Sequence, residues 1–131
     1  MHLPDVDWEV TRPFWDGCRR RELRVPRCRC GTYVWYPQPR CPTCRGREIS
    51  WVRVSGKATL FTWTKVYRAF LPGYRPPFVT ALVELVEDPK LRLATYLRGV
   101  EDRKLSLGLP LEVDFEEAEA GIVLPVFRPA E

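Results

Sequence analysis

Four cysteines in the first third of the sequence have the residue type and the spacing of a structural zinc site. They form two pairs, Cys28 with Cys30 and Cys41 with Cys44, with ten residues between the pairs. The second pair has the two-residue gap that lets a tight turn direct both thiolates at one ion, and the following Gly46 offers the backbone freedom that such turns use. We therefore predict that the four thiolates hold one zinc ion, which stabilises the surrounding segment.

The first pair is one residue shorter than the usual spacing. Alternate residues of an extended strand point to opposite faces, whereas sulfurs that share a zinc ion lie under about 4 Å apart. Either Cys28 and Cys30 lie in a bend, for which Gly31 is available, or one of them is not a ligand. The alternative for the whole set is reduced thiols without a metal. Cys18, the fifth cysteine, is expected to lie on a helix face outside any metal site.

Other features argue against secretion and against catalysis by this chain alone. Five cysteines are an odd number for disulfide pairing, no apolar signal stretch follows Met1, and no run is long enough to span a membrane. We expect a cytoplasmic protein, because thiols stay reduced there and favour metal. The only histidine is His2, so no Ser, His and Asp constellation exists, and four cysteine ligands would leave zinc no open position for catalysis.

The sequence divides into three segments that can position these cysteines. Residues 1–23 are an N-terminal helical segment, residues 24–50 a zinc ribbon, and residues 51–131 a barrel domain. With 45% hydrophobic content, the 131 residues suffice for one modest core. In the first segment we predict a short helix within residues 7–22, which Thr11 caps and which has Pro13 in its first turn. Its apolar stripe is expected to contain Phe14, Trp15, Cys18 and Leu23.

The rest of the chain is predicted to be β structure. Residues 33–36 form a β-prone stretch between the two cysteine turns. Strict alternation in the first strand beyond the ribbon would place Trp63 on the face opposite to Leu60. We expect a mainly β fold with a five-stranded barrel of the OB type, and a small sandwich is the alternative. The five strands are predicted at residues 57–67, 78–87, 91–97, 111–117 and 122–127. One helical turn separates the third strand from the fourth.

Charge is distributed unevenly along the chain. Residues 1–57 carry 12 basic and 6 acidic side chains, whereas residues 58–131 carry 9 and 11. The basic half could contact nucleic acid, an acidic partner or the phosphates of a cofactor such as coenzyme A, or it could be a solvated surface. The arginines concerned are Arg19, Arg20, Arg21, Arg27, Arg29, Arg45 and Arg47.

The order of the motifs resembles the zinc-ribbon and OB-fold proteins known as domain-of-unknown-function family 35. The resemblance covers almost the whole chain. It rests on the Phe14-Trp15 pair in the N-terminal helix, on the two cysteine pairs with their proline-rich bridge, on residues 67–85, and on the tail Leu-Pro-Val-Phe-Arg-Pro at residues 124–129.

The resemblance implies a non-catalytic accessory subunit or domain with structural zinc. It further implies a hetero-oligomer with a thiolase-superfamily enzyme of the lipid-transfer type, in which this chain helps to form the acyl-CoA site. The implied reactions are cleavage or formation of carbon-carbon bonds in acyl-CoA compounds, such as the aldolase step of steroid side-chain degradation. The partner would carry out the chemistry.

The segment from Tyr67 to Phe78 is the candidate contact with such a partner. Its connection of about ten residues is longer than a hairpin needs, and its prolines stiffen it, so that less entropy is lost on docking. We predict that four exposed apolar side chains anchor the partner and that two arginines approach a phosphate or an acidic residue. The alternative is a loop folded back over its own barrel. The anchors are Tyr67, Phe70, Tyr74 and Phe78, and the arginines are Arg68 and Arg75.

Nucleic-acid binding is the competing function. OB barrels and zinc ribbons occur in proteins that bind RNA and DNA, and aromatic side chains of the barrel could stack on bases. Such a surface needs cations on the same face as the stacking side chains, whereas the barrel half is slightly acidic. For this reason, and mainly because of what the resemblance implies, we favour a protein partner over nucleic acid. The stacking candidates are Phe61, Trp63, Tyr67 and Tyr96.

Overall fold

A computed structural model describes residues 3–130 of the chain, so His2 lies outside the described residues. Single turns of 3-10 helix lie at Asp102–Lys104 and Glu119–Gly121. Between residues 3 and 130, no helix has the length and hydropathy needed to cross a membrane. The main elements are α1 (Arg12–Arg19), β1 (Arg24–Cys28), β2 (Ile49–Arg53), β3 (Lys57–Val66), β4 (Phe78–Leu85), β5 (Arg92–Leu97), β6 (Pro110–Glu117) and β7 (Val123–Pro129).

Strands β3 to β7 close into a barrel in the order β3-β4-β5-β7-β6. Neighbouring strands are antiparallel except β5 and β7, which run parallel and pair only between Leu97 and Phe127. Every second residue of β4 is buried in the barrel core, as alternation requires. The predicted mainly β fold with an OB-type barrel is confirmed, and a 3-10 turn lies between the third and fourth barrel strands.

Strict alternation fails within β3. The register between β3 and β4 shifts between Leu60 and Thr62, so that Phe61 is an extra residue in the ladder. Such a bulge reverses the side-chain phase of the rest of the strand. Trp63 therefore packs against the same core as Leu60, and the prediction that these two residues face opposite sides is wrong.

Helix α1 is shorter than the segment predicted for it. Pro13 lies in its first turn as expected, but the Thr11 side chain makes no hydrogen bond to the helix start, so the predicted cap is absent. Phe14, Cys18 and Leu23 are buried in the main core, which confirms the apolar stripe. This stripe joins the N-terminal segment to the barrel.

The ribbon is held by a two-stranded sheet that the sequence did not indicate. Strands β1 and β2 pair antiparallel over their full lengths. The β-prone stretch at residues 33–36 forms no strand, since only Tyr33 makes a single bridge, to Arg27. The prediction for this stretch was based on residue preference alone. In the structure, the ring centroid of Trp35 lies 5.6 Å from that of Phe14 on α1. Packing against the helix therefore outweighs the β preference of these aromatic residues.

Candidate metal centre and interaction surface

The four predicted cysteine ligands converge on one point. Their sulfur atoms all lie within 4.8 Å of one another. The Sγ atoms of Cys28 and Cys44 are 3.4 Å apart, and those of Cys30 and Cys41 are 3.7 Å apart. Four sulfurs bound to zinc at about 2.3 Å in a tetrahedron lie just under about 4 Å from one another. The four cysteines are thus positioned to bind a metal ion, while Cys18 is buried in the main core.

The shortened first pair is accommodated by a tight turn directly after β1. The Gly31 N–H donates to the Cys28 carbonyl, and the Cys28 N–H donates to the Thr32 carbonyl. Gly31 has a φ of 95°, which residues with a Cβ rarely adopt. The bend that the spacing requires is therefore present, and it brings the sulfurs of Cys28 and Cys30 into one cluster.

In the second cysteine turn, the residue with a left-handed backbone conformation is Arg45 and not Gly46. Arg45 has a φ of 63°, whereas Gly46 has no positive φ. The Gly46 N–H donates to Cys44 Sγ at 3.3 Å, and a Cβ on Gly46 would lie 3.2 Å from that sulfur. The expected role of Gly46 is therefore corrected: glycine suits this position because its backbone approaches the sulfur closely, and a Cβ would require a small shift of that sulfur.

Hydrogen bonding distributes negative charge unequally among the thiols. The hydroxyl and backbone N–H of Thr32 lower the pKa of Cys30 to about 6. Backbone N–H groups, first that of Cys44, also lower the pKa of Cys41. The backbone N–H of Cys30 acts in the same direction on Cys28, but burial and the neighbouring thiols outweigh it and raise the pKa of Cys28 to about 12. Because metals bind thiolates, the N–H donors prepare part of the site.

The arginines of the basic half fall into two groups. Arg45 and Arg47, which lie in the second cysteine turn and directly after it, have no ion-pair partner within residues 3–130. The surface beside the metal centre therefore keeps uncompensated positive charge. The other group contacts acidic side chains or an aromatic ring, and it comprises Arg19, Arg20, Arg21, Arg27 and Arg29.

The predicted contact loop between β3 and β4 exposes two of its four apolar anchors. Tyr67 is 72% exposed and Phe70 is 84% exposed, and Leu71 beside them is 48% exposed. The Arg68 guanidinium lies 5.5 Å from the centre of the Phe70 ring. Arg75 is also exposed. The first part of the loop thus presents a contiguous stretch of apolar and cationic side chains to solvent.

The other two anchors pack against the barrel, so the expectation that they are exposed is wrong. Tyr74 stacks on Phe78 with ring centroids 5.9 Å apart, and Phe78 meets the edge of Tyr96 on β5 at 5.7 Å. Burial raises the pKa of Tyr96, and Tyr74 adds to this effect. The second part of the loop is therefore fastened to its own barrel, as the alternative anticipated, while the first part stands clear of it.

Most aromatic residues considered for base stacking are engaged within the protein. The Arg92 guanidinium lies 4.0 Å from the centre of the Phe61 ring. Trp63 packs against the core, and Tyr96 contacts both the Phe78 ring and a neighbouring arginine. Of the four candidates, Tyr67 is the one that remains largely exposed. These contacts leave little free stacking surface on the barrel.

Sequence reasoning missed an apolar cleft of about 310 Å³ between α1, the ribbon and the barrel. Phe14 and Trp15 contribute from α1, Trp35 from the ribbon, and Tyr96 from β5. These residues come from segments far apart in the chain, so no local pattern indicates that they meet. The available signal in the sequence is the aromatic pair Phe14 and Trp15 in the predicted helix stripe, and it does not show which residues they meet.

Two family models match the chain. Residues 15–50 match the model described as "ChsH2, rubredoxin-like zinc ribbon domain". Residues 51–116 match the model described as "ChsH2, C-terminal OB-fold domain". The first match contains all four cysteines of the metal centre, and the second contains the contact loop.

Curated relatives include two subunits of acyl-CoA hydratases. A "probable enoyl-CoA hydratase alpha subunit" of Thermomonospora curvata is 35% identical over 119 residues, which are 89% of this chain and 37% of that protein. The "3-oxo-4,17-pregnadiene-20-carboxyl-CoA hydratase alpha subunit" of Mycobacterium tuberculosis is 33% identical over 105 residues, which are 80% of this chain and 33% of that protein. The chain therefore spans about a third of the length of these relatives.

Solved structures with the same fold include one complete match. The structure described as "Ltp2-ChsH2(DUF35) aldolase" has a TM-score of 0.89 at 31% identity, and the match covers 98% of this chain and 100% of the other. A DUF35 protein of unknown function from Sulfolobus solfataricus has a TM-score of 0.64 at 15% identity, with 93% and 86% covered. The second match shows the fold alone.

Proposed function

The chain belongs to the ChsH2 family of DUF35 proteins, which combine a zinc ribbon with an OB fold, and we propose that it is a non-catalytic accessory subunit or domain of an acyl-CoA enzyme complex. In this proposal it forms a hetero-oligomer with a thiolase-superfamily enzyme of the lipid-transfer type. It helps to form the acyl-CoA site, and the partner carries out carbon-carbon bond cleavage or formation, such as a steroid side-chain aldolase step.

The names of the relatives support an acyl-CoA complex. One relative is an aldolase assembly with Ltp2 in its name, and two are alpha subunits of CoA-ester hydratases. Because this chain spans about a third of the hydratase subunits, we do not assign their hydratase activity to it. The proposal is therefore restricted to an accessory role.

The observation that carries the proposal is the exposure of Tyr67 and Phe70 on the contact loop. Large aromatic side chains with a nearby arginine are typical of the residues that contribute most to protein interfaces. The base of the loop is fixed by Tyr74 and Phe78, so less conformational entropy is lost when the tip binds a partner. We propose that Arg68 and Arg75 approach a coenzyme A phosphate or an acidic side chain of the partner.

In the same proposal, zinc has a structural role in the ribbon. Cys28, Cys30, Cys41 and Cys44 would hold the ion, and four thiolate ligands would leave no position for substrate. We propose that residues 1–23, 24–50 and 51–131 form the helical, ribbon and barrel units. We also propose a cytoplasmic location, because thiols stay reduced there and are available to bind metal.

Co-purification with a thiolase-superfamily subunit from the same host tests the proposal. We expect a stable complex with the native chain. Replacing Tyr67 and Phe70 together with alanine should weaken the complex at least thirtyfold, since aromatic anchors of interfaces contribute about 2 kcal/mol or more. Affinity is measured by calorimetry, and turnover of the complex is measured in parallel.

Val86→Ala is the matched control. Val86 is also an exposed apolar residue, at 57%, but it follows β4 and so lies at the opposite end of that strand from the contact loop. It should leave both affinity and turnover unchanged. Unchanged affinity in the Tyr67 and Phe70 variant, with its fold retained, would show that the loop is not the contact.

A further inference from the structure

We propose that the outer edge of strand β2 in the ribbon binds an extended acidic segment of another protein, which joins the β1–β2 sheet as an additional strand. In this mode of recognition, main-chain hydrogen bonds supply affinity and alternate side chains supply specificity. The proposal concerns the ribbon, whereas the contact loop belongs to the barrel, so it holds whether or not the loop binds a thiolase-type partner.

The hydrogen-bond pattern of the ribbon shows which main-chain groups of β2 face outward. In an antiparallel pair, every second residue of a strand exchanges its N–H and C=O bonds with the neighbouring strand. The Arg29 N–H donates to the carbonyl of Glu48, which directly precedes β2, and the register continues this phase along the even-numbered residues of β2. The main-chain groups of Ile49, Trp51 and Arg53 therefore point away from β1.

No strand within residues 3–130 pairs with this outer edge. The β1–β2 sheet has two strands, and the bridge between Arg27 and Tyr33 lies on its other side, next to β1. In the same range, the N–H groups of Trp51 and Arg53 have no acceptor, and Ser50 and Arg53 are exposed. Two unpaired donors, two residues apart on an extended strand, are a template for a further strand.

The charge beside the edge indicates what kind of strand would fit. A groove of about 480 Å³ next to β2 is lined by Arg27, Arg29 and Arg47, and the one acidic residue in its described lining is Glu48. Glu48 pairs with Arg29, whereas Arg47 has no ion-pair partner in the described part of the chain. Arg53 at the end of β2 keeps 62% of its side chain exposed beside its own ion-pair partner. A segment with carboxylate side chains is therefore complementary to this edge.

A second copy of the chain fits the edge less well than a separate acidic segment. The acidic stretch at residues 112–117 lies within β6, which already pairs with β3 and β7. Pairing of the β2 edges of two copies would bring the arginines of both grooves together, and such juxtaposition of like charges is unfavourable. The occupant that matches both the open edge and its charge is an extended acidic segment of a different protein.

Binding of synthetic peptides to the full 131-residue chain tests the inference. The probe is a capped peptide with the sequence Glu-Thr-Glu-Thr-Glu-Thr-Glu. One control has lysine in place of every glutamate, and the other is N-methylated at two adjacent central residues, so that either edge of the peptide lacks a ladder donor. We expect the glutamate peptide to bind saturably with a Kd below about 1 mM. The N-methylated peptide should bind at least about fivefold more weakly, and the lysine peptide should show no saturable binding.

Two substitutions of Arg53 separate the main-chain contribution from the charge. Both Arg53→Thr and Arg53→Pro remove the cation, but only proline also removes the outward N–H, and proline is tolerated where the N–H of an edge strand faces solvent. We expect Arg53→Pro to bind the glutamate peptide about fivefold more weakly than Arg53→Thr. Arg47→Gln should weaken binding about threefold and reduce its dependence on salt. Arg103→Gln is the control, because Arg103 lies in the 3-10 turn at Asp102–Lys104 of the barrel, and it should leave the affinity unchanged.

Amide hydrogen exchange in the native chain gives the direct readout and decides the matter even if a variant does not fold. Saturating glutamate peptide should slow exchange at Trp51 and Arg53 at least about tenfold. Absence of saturable binding, equal affinity for the N-methylated peptide, or equal affinity of folded Arg53→Pro and Arg53→Thr would overturn the proposal. So would protection of the same two amides that rises with chain concentration in the absence of peptide, since a second copy would then occupy the edge.

Discussion

At the residue scale, the two cysteine turns show how backbone geometry compensates for spacing. The sequence indicates the ligand types and their pairing, because paired thiols near a glycine are typical of zinc knuckles. It also indicates Gly31 as the residue available to bend the short first pair, but it does not indicate that Arg45 and not Gly46 would take the left-handed conformation. This detail depends on which N–H groups approach the sulfurs, and that is decided by the folded ribbon.

Metal content is the first prediction at this scale. We expect about one zinc per chain by elemental analysis, and we expect Cys41→Ser to lose it together with ribbon structure, because the metal supplies much of the stability of such small modules. Cys18→Ser is the control, since burial in the main core raises the pKa of Cys18 to about 12 and holds it outside the cluster. Metal-free native protein that is fully folded would contradict the prediction.

Gly56 gives a second prediction at the residue scale. It has a φ of 80°, and a Cβ there would lie 2.3 Å from Val113 Cγ1. Gly56→Ala should lower the free energy of unfolding by about 2–4 kcal/mol, from backbone strain together with overpacking. Gly108→Ala is the matched control, because its φ is 82° with no atom within 4 Å of a Cβ. It should cost only about 1–2 kcal/mol. Equal values in denaturant unfolding would refute the packing argument.

At the element scale, the positions of the strands in the sequence were more predictable than the face of the strand on which each side chain lies. Alternation and glycine punctuation located all five barrel strands, since each segment has a local signal. The Phe61 bulge has no such signal, so the face of Trp63 was assigned wrongly. Strands β1 and β2 were missed because Pro26 lies within β1 and because their pairing brings together residues far apart in the chain.

Glu22 links three elements and gives the prediction at this scale. Its carboxylate lies 3.1 Å from Arg24 on β1, 3.6 Å from Arg53 on β2 and 3.5 Å from Arg20 after α1. The hydrogen bond from Arg24 is the largest cause that lowers the pKa of Glu22 below its ordinary 4.5. Its stabilising effect is therefore present above pH 4.5 and is lost as the pH falls through the lower folded value.

The comparison of Glu22→Gln with the native chain tests this linkage. The midpoint of thermal unfolding should be lower in the variant at pH 7, and the difference should shrink as the pH falls below 4.5 and through the lower pKa of Glu22 in the folded state. Glu101→Gln is the control, because Glu101 pairs only with the nearby Arg103 and is mostly exposed, and exposed pairs contribute little. A difference for Glu22→Gln that is constant with pH would mean that packing and not charge is responsible.

At the scale of the whole molecule, the distribution of charge and aromatic side chains decides between a protein partner and nucleic acid. Of the barrel aromatics that could stack on bases, Trp63 is packed against the core and Phe61 is partly covered by Arg92, whereas the two most exposed aromatics, Tyr67 and Phe70, lie on the contact loop. The unpaired cations Arg45 and Arg47 lie at the second cysteine turn. A groove for single strands needs cations and stacking side chains on one surface, so we expect weak binding of oligonucleotides with little contribution from stacking.

At physiological salt, mixed single-stranded oligonucleotides should bind with a Kd no tighter than about 10⁻⁶ M. Replacing Arg45 and Arg47 with glutamine should reduce even this binding, whereas Phe61→Ala should not. Sub-micromolar affinity that falls steeply with salt and collapses in Phe61→Ala would reverse the assignment, because only base stacking on the barrel produces that combination.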